Sequence, residues 1–265
     1  MKDPRTTPMR DGVEVSDLKG TPHTIARGRA SLRHAPAPDA LQDTEILFGE
    51  TITVFESRFG WAWCQSVFDN YVGYVHTIAI CDSVVPDHRV TALSTPLLTG
   101  PDIKHAVRDM LPFNAKVRVQ DRSNGYALIE KGGYVFEGHL APLDFRAPDW
   151  VATAERFVGT PYVWGGNTHA GLDCSGLVQV ALAGSGISAP RDADMQEAAL
   201  GRDCRDGPRL RGDIVFWYGH VGIMLDAERV IHANSFHMQV EIETLQQAMA
   251  RISPQAGAVT SVRRL

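Results

Sequence analysis

Cys174, His220 and His232 are the side chains whose types and spacing suit one chemistry, attack of a sulfur nucleophile on an acyl group. Cys174 stands in Asp173-Cys174-Ser175-Gly176, where the loop-like run Tyr162-Val163-Trp164-Gly165-Gly166-Asn167 gives way to apolar helix formers at 177–182. A thiol in the first turn of a helix faces unpartnered backbone N–H groups and the positive end of the dipole. Both are expected to favour thiolate over thiol. Taken alone, such a cysteine reads more readily as a small core residue.

The two histidines lie in β-rich runs, Gly219-His220-Val221-Gly222-Ile223-Met224-Leu225 and Arg229-Val230-Ile231-His232-Ala233-Asn234, separated by Asp226-Ala227-Glu228. This pattern predicts an antiparallel hairpin. A turn centred on Asp226 sets His220 directly opposite His232, with Cβ atoms about 4.5–5.5 Å apart on one face. One ring can then hydrogen-bond the other, fixing its tautomer and leaving its second nitrogen to serve the thiol. Nucleophile, base and orienting group are the parts of a cysteine-hydrolase triad.

Three elements must hold these groups. A helix opens at Asp173 and runs to Gly184, a natural stop, and the hairpin carries the imidazoles. Upstream, Asp149 is expected to cap a helix whose Trp150, Val151, Ala154, Phe157 and Val158 form one apolar stripe ending at Gly159.

Other chemistries fit less well. A zinc site built on Cys174, His220 and His232 has no C-x-x-C, no H-x-x-x-H and no carboxylate at helical spacing to support it. Gly165-Gly166 lacks the spacing of a phosphate-binding loop. Cys64, Cys81 and Cys204 fit no ligand spacing and read as buried or incidental thiols, and four cysteines in 265 residues are not a disulfide scaffold. No metal and no cofactor is expected. A net charge of −5 gives no electrostatic reason to bind nucleic acid or the anionic polymers of a wall. The amino-terminal residues Met1-Lys2-Asp3-Pro4-Arg5 lack the apolar run of a secretory leader, and no stretch approaches the length of a transmembrane helix. The expectation is a cytoplasmic chain with no membrane partner; the alternative is the mature part of a secreted one.

Taken in order, Tyr162-Val163-Trp164-Gly165-Gly166, Asp173-Cys174-Ser175-Gly176, Pro190-Arg191-Asp192 with Gln196, Gly212-Asp213-Ile214-Val215, His220-Val221-Gly222-Ile223 and Ile231-His232-Ala233 resemble the motifs of the NlpC-type cell-wall peptidases. These are papain-like cysteine peptidases that cut γ-D-glutamyl–diamino acid bonds in peptidoglycan stem peptides. The resemblance covers about residues 147–265 and implies an α+β domain in which a cysteine-bearing helix packs on a histidine-bearing sheet. It makes Cys174 the nucleophile, His220 the general base and acid, and His232 the orienting residue. Tyr162 matches the family's tyrosine beside the thiolate and its oxyanion site.

Before this domain the chain reads as an arm at 1–23 and two segments of similar plan, 24–84 and 85–146. The first carries Ile52-Thr53-Val54, Trp61-Ala62-Trp63 and Tyr71-Val72-Gly73-Tyr74-Val75; the second carries Val117-Arg118-Val119, Tyr126-Ala127-Leu128 and Gly133-Tyr134-Val135. Short alternating strands and a repeated Gly-Tyr-Val predict two small all-β barrels, and both segments resemble bacterial SH3-like domains. The fold class is therefore multidomain: two SH3-like barrels, then an α+β catalytic domain.

Two SH3-like segments ahead of Asp-Cys-Ser and Pro-Arg-Asp resemble the subfamily that recycles cell-wall peptides. Its members release L-Ala-γ-D-Glu from short peptides whose L-Ala amine is free. The resemblance carries substrate-binding roles to Asp173, Ser175, Arg191 and Trp164, and to Glu50 and Tyr71 in the first segment, with murein-derived peptides as the partner. Asp173 also reads as a plain helix N-cap, and Glu50 as a solvated turn residue. Arg191 could neutralise the acidic cluster or pair with a substrate carboxylate. The rival functions are a secreted D,L-endopeptidase acting on intact wall and a thiol acyltransferase on the same scaffold.

Overall fold

The computed structural model describes residues 2–10, 13–15 and 18–265. The chain divides into two compact units, Met1–Phe145 and Arg146–Leu265.

In the first unit, burial alternates along strands such as Thr51–Arg58, where Ile52 and Val54 point inward, and Tyr126–Ile129, where Ala127 and Ile129 do. A seven-stranded sheet has the order Gln42–Leu47, Arg29–Arg33, Val72–His76, Trp61–Ser66, Thr51–Arg58, Thr21–Ile25, Ile80–Asp82. It closes over Ile25, Leu32, Ile46, Ile52, Cys64 and Val75. The following segment forms a five-stranded and a three-stranded sheet around Val90, Leu97, Leu111, Val117, Ile129 and Val135.

The repeated Gly-Tyr-Val has a physical cause. A Cβ on Gly73 would stand 2.8 Å from the carbonyl oxygen of Arg33, and one on Gly133 2.2 Å from that of Leu98. Only glycine lets these strands cross so closely. The crossing also corrects the expected barrels. Closure needs a continuous ladder, but at these seams the strands share one pair each, Arg33 with Tyr74 and Leu98 with Tyr134. Among the described residues the sheets are open and SH3-like. Part of the expected arm (residues 1, 11, 12, 16 and 17) lies outside the described residues. Elsewhere in it, the carbonyls of Arg5 and Thr6 accept from Val72 N and the Gln65 side chain, and the strand Thr21–Ile25 begins within it.

The second unit holds four helices among the described residues, α1 (Trp150–Glu155), α2 (Cys174–Gly184), α3 (Ala193–Ala199) and α4 (Leu245–Ala256). Its sheet comprises β1 (Arg202–Asp203), β2 (Ile214–Trp217), β3 (His220–Met224), β4 (Arg229–Asn234), β5 (Gln239–Thr244) and β6 (Ser261–Arg264). The strand order is β1-β6-β2-β3-β4-β5, antiparallel throughout. Leu177, Val178, Ala181 and Leu182 are fully buried, so α2 is a core helix apolar on nearly every side, and it packs against β3 and β4. On α4, Ala248 and Ile252 pack with Val215, Trp217, Met224 and Val230.

Asp149 caps α1 through the N–H groups of Val151 and Ala152. The helix ends at Glu155, however, before the last two expected stripe positions. Phe157 stays in the core through a turn, whereas Val158 is exposed. No helix among the described residues is long and apolar enough to cross a membrane.

Candidate active site

Helix α2 starts where the sequence places it. Asp173 is its N-cap, its Oδ1 accepting from Gly176 N at 2.7 Å. Oδ2 accepts from Gly165 N at 2.8 Å, tying the glycine loop to the helix start. Arg191 clamps the same carboxylate with two parallel bonds, 2.9 Å to Oδ1 and 2.6 Å to Oδ2. It also donates to Ser175 Oγ at 3.0 Å and to the Gly166 carbonyl at 3.3 Å.

With Arg191 only 1% exposed and Asp173 6%, the pair is a buried structural clamp. Of the two roles open to Arg191, neutralising the carboxylate is the one the geometry supports. Of the two open to Asp173, the cap is the one in place. Gln196 completes the frame by donating to the carbonyls of Ser175 and Pro190.

The clamp presents Cys174 at the first position of α2. The N–H groups of Val221, the chain neighbour of His220, and of Ser175 reach its sulfur. The thiol nevertheless does not favour thiolate at rest, contrary to the sequence expectation. Burial pushes it up to about 12, with the Asp173 charge adding to the rise, while the two amides and Arg191 pull the other way. The helix start is real, but desolvation of a charge outweighs its dipole.

His220 is lowered to about 3 by burial and by the neighbouring His232 and Arg251. At neutral pH the resting pair is thus thiol and neutral imidazole. An imidazole in that form is able to take a proton at the moment of attack.

The hairpin forms, with its register displaced. Ile223 pairs with Ile231 and Met224 with Val230, and Leu225 N donates to the Arg229 carbonyl, so the turn centres on Ala227 and not Asp226. The cause is local. The Asp226 carboxylate accepts from Glu228 N and Arg229 N, making Asp226 the start of the turn. His220 and His232 are therefore diagonal neighbours and not directly opposed. A shift of two keeps both on one face, and their Nε2 and Nδ1 atoms lie 2.8 Å apart. The close approach at Gly222 is to Val230, where a Cβ would stand 2.7 Å from Cγ2.

His232 is fully buried, and its Nε2 meets Glu243 Oε1 on β5 at 2.7 Å. Glu243 is also ion-paired to Arg251 of α4. Neither residue was among those expected from the sequence. The available signal was the alternation of Gln239-Val240-Glu241-Ile242-Glu243, which puts both glutamates on one strand face without naming the neighbour they meet.

Tyr162 is partly buried, and its phenol is raised by burial and by the adjacent Cys174 and Asp173. Trp164 is 61% exposed beside the loop that Asp173 anchors. The structure thus gathers Cys174, His220, His232 and Tyr162, with Asp173, Ser175 and Arg191 forming the frame below. Glu50, in the first unit, is buried and not a solvated turn residue; its Oε2 accepts from Leu47 N at 3.0 Å and Lys116 lies 3.7 Å from Oε1. Burial raises its carboxyl despite Lys116. Tyr71 belongs to the hydrophobic core of the same unit. No group of three or more potential metal ligands occurs among the described residues.

Residues 159–253 match the model of the NlpC/P60 family. The chain carries an NlpC/P60 domain. Residues 32–80 match the bacterial dipeptidyl-peptidase SH3 domain. A dipeptidyl-peptidase 6 of Lysinibacillus sphaericus is 33% identical over 114 residues, 43% of this chain and 40% of that protein. A γ-D-glutamyl-L-lysine dipeptidyl-peptidase of Bacillus subtilis is 32% identical over 111 residues, 39% of this chain and 37% of that protein. The aligned stretches thus span about two fifths of these relatives. The crystal structure of an NlpC/P60 family protein from Bacillus cereus matches with a TM-score of 0.76 at 19% identity, over 92% of this chain and 99% of that one. Its likeness establishes the fold.

Proposed function

We propose that the chain hydrolyses the γ-D-glutamyl–L-diamino acid bond of murein stem peptides that begin with a free L-Ala, releasing L-Ala-γ-D-Glu. The observation carrying this reading is the thiol of Cys174 at a clamped helix start, reached by the amide of Val221, whose chain neighbour His220 is hydrogen-bonded to a second imidazole. The dipeptidyl-peptidase relatives and the matched SH3 segment support the choice of bond.

In this mechanism His220 takes the thiol proton as Cys174 Sγ attacks the γ-carbonyl carbon. His232 keeps the His220 ring in place and shares the charge that develops on it. The oxyanion forms near the Tyr162 hydroxyl and the backbone N–H groups at the helix start. His220 then returns the proton to the leaving amine, giving the thioester acyl-enzyme. Water, deprotonated by the same imidazole, releases the dipeptide.

The test is to incubate the protein with L-Ala-γ-D-Glu-L-Lys and with its N-acetylated form, using mass detection. A clear preference for the free amine, read as the ratio of the two kcat/KM values, is expected of the dipeptidyl-peptidase reading. Comparable rates on both would reject the dipeptidyl-peptidase reading in favour of a general wall endopeptidase. Capture of the acyl group by an added amine in place of water would mark a transferase. Glu50→Gln and Tyr71→Phe test the contribution that the resemblance assigns to the SH3-like segment.

A further inference from the structure

Three strands carry one polar line: His220 on β3, His232 on β4 and Glu243 on β5. The contacts are 2.8 Å from His220 Nε2 to His232 Nδ1 and 2.7 Å from His232 Nε2 to Glu243 Oε1. An ionised carboxylate only accepts hydrogen bonds, so His232 must carry its proton on Nε2. In a neutral ring Nδ1 is then a lone pair, and His220 must donate to it from Nε2. The proton of His220 being thus committed, its Nδ1 is left as the lone pair. One carboxylate sets the tautomers of two rings in series.

The ionised state of Glu243 follows from its surroundings. Burial alone would raise the carboxyl, but the bond with His232 and the Arg251 charge outweigh it and hold Glu243 below its ordinary value.

We infer that Glu243 is a positioning residue of the catalytic centre: it locks His232 and, through it, His220 in the Nε2–H form, so that the Nδ1 lone pair is available to the Cys174 thiol. The inference rests on the proposed role of Cys174 as nucleophile. Arg251 holds the carboxylate from α4, with its guanidinium braced against the Phe236 ring at 4.7 Å. When His220 takes the thiol proton, the anion at the far end of the line also favours the imidazolium. A residue outside the four expected from the sequence thereby sets both the direction of proton flow and part of its driving force.

Glu243 and Arg251 line an open cleft of about 680 Å³ together with Phe236, His237 and Gln247. That opening supplies a test, because a small carboxylate from solution can reach the place of a deleted Glu243 side chain. In the full chain, ring 15N–1H correlation should show both His220 and His232 protonated at Nε2 and bare at Nδ1. Glu243→Ala should lower kcat by about 10²-fold, within the range assigned to positioned acid–base groups, with a KM change under about threefold. Formate should restore at least about tenfold of that loss in Glu243→Ala and leave the parent enzyme unchanged. Glu243→Gln, which keeps one acceptor without the charge, should fall between the two.

A parent spectrum with a proton on Nδ1 of either ring would overturn the inference, and so would a Glu243→Ala variant with parental kcat. The spectrum needs no variant, so a misfolded mutant leaves the question decidable. Should the parent cleave no murein peptide, the substrate reading fails while the ring protonation still decides the role of Glu243.

Discussion

Nε2 of His220 lies 2.8 Å from Nδ1 of His232, across two adjacent strands that the hairpin register does not bring directly opposite. In the proposed mechanism the contact leaves the other ring nitrogen of His220 for the thiol. It separates the roles of the two rings, one moving the proton and the other holding the mover.

Substitutions at the two rings should therefore differ. His220→Ala is expected to cost about 10²–10⁴-fold or more in kcat, since the proton loses its acceptor. His232→Asn can still offer an acceptor near the Nδ1 position but is too short to reach Glu243. It should keep part of the activity, and His232→Ala should keep less. Steady-state kinetics on the tripeptide would check this, and equal rates for Asn and Ala would show that His232 does not orient the base.

Thiol reactivity gives a second expectation. Cys174→Ala should abolish turnover, and chelators should leave the parent enzyme unaffected. Because burial keeps the Cys174 thiol protonated at rest, its alkylation by iodoacetamide should depend on His220 as proton acceptor. Peptide mapping should show slower labelling of Cys174 in His220→Ala, with the rates at Cys64, Cys81 and Cys204 unchanged.

The acid side of the pH profile carries a third. With His220 lowered to about 3, kcat/KM should hold on the acid side well below the ordinary histidine value of 6.5. Stability should move as well. The unfolded chain takes up a proton as pH falls through 6.5, whereas folded His220 does not until near 3. Below 6.5 the unfolded state binds more protons, so this contribution to stability is lost as pH falls through that window. Denaturant midpoints between pH 7 and pH 4 should decline, and less so in His220→Gln.

Arg191 tests the frame. Arg191→Met removes one partner of a buried pair and strands the Asp173 carboxylate, which should cost about 3–5 kcal/mol in urea unfolding. The double variant Asp173→Asn with Arg191→Met should recover part of that loss, because an amide is far cheaper to bury than an unpaired charge. Full stability in the single variant would mean that the clamp is not needed to hold the helix start.

By itself the sequence determined the start of α2, because an Asp cap, a glycine loop and an apolar run are local signals written in consecutive residues. It also determined that His220 and His232 share a face. Side-chain direction repeats every two residues along a strand, so a register shift of two leaves the face unchanged. The repeated Gly-Tyr-Val marked the SH3-like segments for an equally local reason.

Only the tertiary structure decided the rest. The register itself fell to the Asp226 turn. The pairing of Asp173 with Arg191, the meeting of His232 with Glu243 and Arg251, and the burial that turns a helix-start thiol into a protonated one all join groups distant in sequence. Such outcomes depend on which strands become neighbours and how much water the packing removes, and neither quantity is carried by the spacing of residues along the chain.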